Sequence, residues 1–399
     1  MTGLSEKVRA ILEFLILAVC IVTFAFTSMG VFASLFGSDG PGSRDFVEYW
    51  AAGQQLAHHA NPYDSDAILK LERSAGFPSG IPTLVMGNPP SALLLVLPLG
   101  RLSAMTAELV WEFLLLASLV LSVQLLRTLY GSQKNLLHVL AYAFAPALSC
   151  LLAGQISLFI LLGLVLFLRW RRSRPFLAGA SLWLCLLKPH LFLPLGIVLV
   201  VWIILTGSYK IVLGMACALG ISSALATMFD PQVWSQYAQM MSAARIDKIL
   251  MPCIGSLLRF YVPPHTFWLQ CLPAGIASVW ALAYFLKKRD RWNWPEDGSL
   301  LMLVSILVAP YTWFMDQAVL IPALLCGVYF TRSRSLIALL ALMSAVIEIE
   351  ILRGLPLLHS FYYLWTAPAF LVWYLFAVRP VDATRTHGLA DGVSHALET

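Results

Sequence analysis

A succession of apolar runs of roughly 17 to 25 residues, separated by short polar connections, most constrains what this chain can fold into. Helical runs of that length match the hydrocarbon core of a bilayer, whereas barrel strands would alternate with period two. The pattern predicts an all-α polytopic membrane protein. Charged residues make up only 12% of the chain, against about a quarter in soluble domains, and mean hydropathy is +0.79.

Spans are expected over 11–36, 106–128, 136–153, 156–170, 176–187, 191–206, 211–229, 266–286, 299–315, 317–330, 335–352 and 357–378. That is about twelve, with both termini on one side. The first is too long for the core of a signal peptide and has no evident small-residue cleavage site, so it counts as a span. A further apolar piece, 91–102, is too short to cross and starts behind Pro89-Pro90. It predicts a re-entrant or tilted half-helix, whose ends must be covered by protein or line a cavity. No stretch is long enough for a separate soluble domain. Residues 1–380 read as one transmembrane domain and 381–399 as a disordered cytoplasmic tail.

Of the 26 Lys and Arg, 17 fall at every second connection, as in Arg169, Arg171, Arg172 and Arg174 or Lys287, Lys288, Arg289 and Arg291. The positive-inside rule makes those connections and both termini cytoplasmic and leaves two long loops outside, about 37–105 and 230–265. With the basic residues so placed, the net charge of +5 gives no reason to expect nucleic acid. Nine basic residues, among them Arg44, Lys188, Arg245, Lys248 and Arg259, lie on the outer side, where the bias does not ask for them. The seven cysteines are scattered without C-x-x-C spacing and support neither a disulfide framework nor a metal site.

The outer side carries the polar chemistry. From Gly42 to Asp64 a polar, aromatic-rich segment follows the first span, with Arg44, Asp45 and Glu48 within five positions. Ser43 can cap a helix there. At helical spacing Asp45, Glu48, Gln55 and His59 share one face, and Phe46, Trp50, Gly53 and Ala57 the other. This predicts an interfacial helix lying on the membrane, with Tyr49 and Trp50 at headgroup level. Its N-terminus would keep Asp45 ionised, which suits a general base. Equally, Asp45 can cap the helix or pair with Arg44. Asn61-Pro62-Tyr63-Asp64 is a turn, and Met86-Gly87-Asn88-Pro89-Pro90 leads into the half-helix.

Lys188-Pro189-His190 interrupts two short apolar runs. A lysine there is costly unless it meets an anion or lines water. With Arg245, Lys248 and Arg259 it can clamp a phosphate, or it can snorkel from a span end. Asp316, at the hinge after Pro310-Tyr311-Thr312-Trp313, either orients an acceptor hydroxyl or sugar or merely caps a turn. Gly154-Gln155 fits a hairpin with a polar cap better than a binding role. Glu348 and Glu350 fit pairing with Arg353.

The order D-F-x-x-Y-W-A-A-G (Asp45 to Gly53), N-P-Y-D (Asn61 to Asp64), N-P-P (Asn88 to Pro90), G-Q (Gly154, Gln155), K-P (Lys188, Pro189), I-G-S-L-L-R (Ile254 to Arg259) and P-Y-x-W-x-x-D (Pro310 to Asp316) resembles glycosyltransferase family 87. That family belongs to the GT-C superfamily and includes polyprenyl-phosphate-mannose-dependent mannosyltransferases. The resemblance implies an inverting membrane transferase that moves a sugar from a polyprenyl-phosphate donor to a lipid or glycan acceptor on the periplasmic face of a bacterial inner membrane. It puts Asp45 in the role of base, Lys188 and Arg259 near the donor phosphate, and Asp316 near sugar or acceptor. Glu48, Tyr49, Asn61, Tyr63, Asn88, Gln155 and His190 complete the candidate sugar and acceptor set on the same side. Where the family often carries an aromatic residue or Tyr-Pro-Pro, this chain has Asn88-Pro89-Pro90, which leaves acceptor contacts unspecified. No cofactor is expected, since the leaving phosphate is already ionised; a divalent ion stays open.

A secondary transporter would place polar half-helices at the midplane, preferably in two repeated halves. Here a single half-helix lies near an outer loop, the polar residues gather at outer hinges, and no repeat is evident. A lipid-linked glycan flippase or polymerase would share the substrate but calls for a larger central outer loop or a charged cavity.

Overall fold

The computed structural model describes residues 6–36, 41–130, 136–244, 250–354 and 360–378. Arg245, Lys248 and the tail 381–399 lie outside the described residues. Among the described residues every regular element is helical.

The chain opens with α1 (Glu6–Phe36), and the first long loop holds α2 (Phe46–Ala57), α3 (Ser65–Ser74) and α4 (Leu93–Val96). Next come α5 (Ala104–Leu129), α6 (Ala145–Ala153), α7 (Ser157–Trp170), α8 (Pro175–Ser181), α9 (Leu193–Thr206) and α10 (Tyr209–Phe229). The second long loop carries α11 (Val233–Ala243) and α12 (Ile254–Tyr261). The chain then runs through α13 (Phe267–Lys288), α14 (Ser299–Leu307), α15 (Ile321–Phe330), α16 (Arg334–Leu352) and α17 (Thr366–Ala377). Helix α5 packs along α7, α8 against α10, α9 against α13 and α1 against α16.

Among the described residues, six helices are long and apolar enough to cross a membrane: Ala10–Phe36, Ala104–Leu129, Pro189–Thr206, Tyr209–Phe229, Phe267–Arg291 and Arg334–Leu352. Several other expected spans are shorter than the apolar runs that suggested them. Helix α6 has 9 residues, about 14 Å of rise against a hydrocarbon core of about 30 Å. The cause is local. Pro146, Pro194 and Pro322 stand in first turns, where a missing N–H costs nothing, and each forces a fresh start in what the hydropathy pattern treats as one run. The half-helix region is likewise broken into a 3₁₀ turn at Pro90–Ala92, α4, and a second 3₁₀ stretch at Leu97–Arg101.

Helix α2 corrects its expected setting. Phe46, Trp50 and Gly53, expected to face lipid, are buried in protein together with Val47, Tyr49, Ala51, Ala52 and Leu56. The helix is enclosed by α3, α4, α5, α10 and the Leu97–Arg101 stretch. Gly53 and Gly100 make this possible: a Cβ on Gly53 would run into the carbonyl of Val96, and one on Gly100 into the carbonyl of Gly53. Two backbones meet where any side chain would hold them apart. The expected cap is also different. Ser43 belongs to a separate 3₁₀ turn, Pro41–Ser43, and Asp45 takes the N-cap position without a side-chain capping bond.

Candidate active site

Arg44 fixes the entry of α2. It is buried, and its Nη1 donates to Glu108 at 2.9 Å and its Nη2 to Glu112 at 2.6 Å, both on α5. Its Nε donates to the Leu152 carbonyl at 2.7 Å, and Nη2 also reaches the Leu151 carbonyl. The guanidinium therefore satisfies carbonyls in the last turn of α6 while tying α2 to α5. Arg44 does not pair with Asp45.

Helix α6 ends at Gly154 in the left-handed region, φ 74°. That conformation favours glycine, and a Cβ here would stand 2.8 Å from Cβ of Phe46. Trp111 Nε1 donates to the Gly154 carbonyl at 2.7 Å. The turn delivers the next residue, Gln155, to the start of α2. Gln155 Nε2 donates to Asp45 Oδ2 at 2.7 Å, while its Oε1 accepts from Tyr49 Oη at 2.9 Å and from Lys188 Nζ at 3.4 Å. Two donors on the oxygen dictate which way the amide points, so its NH₂ must face the carboxylate.

Lys188 stands between two short 3₁₀ turns, Cys185–Leu187 and Pro189–Phe192. Its Nζ lies 2.7 Å from Asp316 Oδ1. Burial alone would pull the ammonium pKa down, but the Asp316 carboxylate outweighs it and holds the pKa above its ordinary value. Asp316, in the 3₁₀ turn Phe314–Leu320, has no exposed surface. It accepts from Ser157 Oγ at 2.7 Å on Oδ1 and from the Trp313 N–H at 2.9 Å on Oδ2. Asp45, Gln155, Lys188 and Asp316 thus form one hydrogen-bonded path across four chain segments.

Glu48 is part-exposed beside this path. Burial first, and then the neighbouring Asp45, push its pKa up to about 8, against a pull downward from Tyr49 and Lys188.

The remaining motifs form the support. Asn61 Oδ1 accepts the Tyr63 N–H at 2.9 Å, and Asp64 caps α3, which is the turn its sequence predicts. Tyr63 Oη donates to the Asn88 carbonyl at 3.1 Å, and Asn88 Nδ2 to the Leu187 carbonyl at 2.8 Å. N-P-Y-D is thereby tied through N-P-P to the residue before Lys188. His190 stacks on Tyr311 with centroids 3.6 Å apart. Arg259 is buried on α12 with its guanidinium over Phe260. Its helix is anchored to the loop before Tyr311, since Cys253 Sγ and, from α13, Gln270 Nε2 both donate to the Pro310 carbonyl. Glu348 accepts from Thr27 at 2.6 Å and Glu350 from Tyr362 at 3.2 Å, in place of the expected pairing with Arg353.

The family model described as glycosyltransferase family 87 matches residues 87–310, more than half of the 399-residue chain. The chain belongs to glycosyltransferase family 87. It is a membrane glycosyltransferase by family and by its apolar helices. The matched residues take in Asn88, Gln155, Lys188, Arg259 and the Pro310 turn. Asp45 and Asp316 fall outside them and are joined to the transferase region by the hydrogen bonds above. No curated protein and no solved structure matches the chain. Sequence reasoning about this transferase missed Ser157, Tyr311, Glu108 and Glu112 as parts of the site or its frame. Ser157 offered one signal, its place two residues after Gln155; the two glutamates had none beyond being charges in a span.

Proposed function

We propose that this transferase moves a sugar from a polyprenyl-phosphate donor to a lipid or glycan acceptor on the periplasmic face of a bacterial inner membrane. Both termini lie in the cytoplasm, and residues 1–380 work as one domain. The observation that carries the reading is the continuous path from Asp45 through Gln155 to Lys188 and Asp316. It pairs a carboxylate able to take a proton with an ammonium able to meet a phosphate.

In the proposed step the acceptor hydroxyl oxygen attacks the anomeric carbon from the face opposite the phosphate. The carbon–oxygen bond to phosphate breaks, its electron pair leaves with the polyprenyl phosphate, and the hydroxyl proton goes to Asp45. The sugar carbon inverts. Gln155 orients the base. Lys188 has three N–H donors, of which Asp316 and Gln155 take two, so one remains for a phosphate oxygen. Asp316 then acts as a positioning residue that keeps Lys188 charged and aimed. Arg259 joins at the phosphate and His190 with Tyr311 beside the sugar. No metal is needed, because the leaving group is stable as an anion.

The test is transfer by the purified protein from synthetic polyprenyl-phosphate sugars, screened across several hexoses and pentoses, to a membrane lipid extract. Asp45→Asn should lower the rate by about 10² to 10⁴ with donor affinity kept. An Asp45→Asn protein that folds and transfers at the full rate removes Asp45 as the base.

A further inference from the structure

Tyr49 belongs to the sugar and acceptor set drawn from the sequence, yet it keeps only 1% of its surface. A ring so enclosed offers no face to a substrate. Its hydroxyl is engaged as well, donating to Gln155 Oε1 at 2.9 Å. The other end of the same amide donates to Asp45 Oδ2 at 2.7 Å.

Trp111 sets both partners. Its indole stacks on the Tyr49 ring, with centroids 5.2 Å apart and planes 27° from parallel, and its Nε1 donates to the Gly154 carbonyl at 2.7 Å. Gly154 precedes Gln155, so one buried side chain registers the hydroxyl on α2 and the amide behind α6. Phe46 of α2 and Phe159 of α7 hold the indole in turn, with centroids 6.1 and 5.0 Å away.

A side-chain amide fits its site in two orientations of nearly equal shape. In one its N–H groups face Asp45; in the other its oxygen does, and two acceptors meet. Tyr49 and Lys188 both oppose the second. The Lys188 contact is the longer, at 3.4 Å, and its ammonium is the group that the proposed donor phosphate draws on. The Tyr49 hydroxyl is committed to the amide. Burial first, then Glu48 and Asp45, hold the phenol pKa well above its ordinary value, so the proton stays in place. Glu48 is the other hydrogen-bonding neighbour of this hydroxyl, and below about pH 8 it carries its own proton and leaves the phenol proton to Gln155. Asp316 also acts on the phenol, and Lys188 and Glu72 of α3 on Glu48.

We propose that Tyr49 is a positioning residue: its hydroxyl, registered by Trp111, locks the Gln155 amide with its N–H groups toward Asp45 and so keeps that carboxylate ionised. The catalytic meaning of the lock rests on Asp45 being the base of the transfer proposed above.

The lock can be read without substrate. Infrared titration of the full chain carrying isotope-labelled aspartate, wild type minus Asp45→Asn, isolates the Asp45 carboxylate band. In Tyr49→Phe, which keeps the stacked ring, the Asp45 midpoint should rise by about half a unit or more. An unmoved midpoint overturns the lock. In transfer assays of Tyr49→Phe, kcat on the acid limb should fall by about threefold, the same half unit expressed as a rate, with donor and acceptor KM kept. A raised KM with the midpoint in place makes Tyr49 a substrate contact and also overturns the lock. If Tyr49→Phe does not fold, Trp111→Phe replaces it, keeping a ring against Tyr49 but dropping the donor to Gly154, and its midpoint should move the same way. A midpoint that rises while Asp45→Asn transfers at the full rate supports the lock and removes Asp45 as the base.

Discussion

The amide nitrogen of Gln155 stands 2.7 Å from Oδ2 of Asp45, although 110 residues separate them in the chain. Gly154 makes the meeting possible by turning α6 back in a left-handed conformation against Phe46. A donor at that distance stabilises the carboxylate form of Asp45 and restricts its orientation.

Replacing that donor by a third carboxylate tests the pairing. Gln155→Glu should raise the Asp45 pKa, because a like charge at hydrogen-bond distance disfavours ionisation. The acid limb of the transfer rate against pH should then move to higher pH, by about 1 unit or more. A limb that stays in place while the rate falls would mean that Gln155 supports the fold without touching the base.

The Lys188–Asp316 pair is enclosed, so removing one member strands the other. Lys188→Met and Asp316→Asn should each destabilise the protein by about 3 to 5 kcal/mol, and the double variant by clearly less than their sum. Chemical or thermal unfolding of the four proteins in detergent supplies the cycle. Additive losses would show that the two groups do not depend on each other.

Glu48 gives a stability signal with a definite sign. Its folded pKa of about 8 lies above the ordinary 4.5, so the folded state holds a proton that the unfolded chain has released. The contribution is fully present below about pH 4.5 and is lost as pH rises through about 8. The unfolding temperature should fall across that window and flatten in Glu48→Gln. A wild-type curve that rises across the same window contradicts the assignment.

Arg44 is the hub of the α2 entry. Arg44→Ala leaves Glu108 and Glu112 facing each other and frees the carbonyls of Leu151 and Leu152. A loss of about 3 to 5 kcal/mol in stability is expected. Arg44→Lys should recover part of it, since an ammonium supplies charge but not the fork that serves two glutamates and two carbonyls together. Full recovery by lysine would make the hub electrostatic only.

The membrane class and the helical fold were legible in local sequence because bilayer thickness acts on each segment separately. So were the turns at Asn61 and Asp64, which close on themselves within three residues. The setting of α2 was not. Its Phe46 and Trp50 face satisfies a lipid surface and a protein interior equally well, and only the close approach of Gly53 to Gly100 distinguishes them. Proline starts at Pro146 and Pro322 shortened helices that hydropathy counted as longer runs.

By itself, the sequence determined a polytopic helical membrane protein, because burial of apolar runs in a bilayer needs no partner segment. Only the tertiary structure decided which charges meet: Arg44 with Glu108 and Glu112, Lys188 with Asp316, and Asp45 with Gln155. Each of those contacts joins residues at least 64 positions apart. Their geometry depends on how helices from distant parts of the chain pack, and no local periodicity records that.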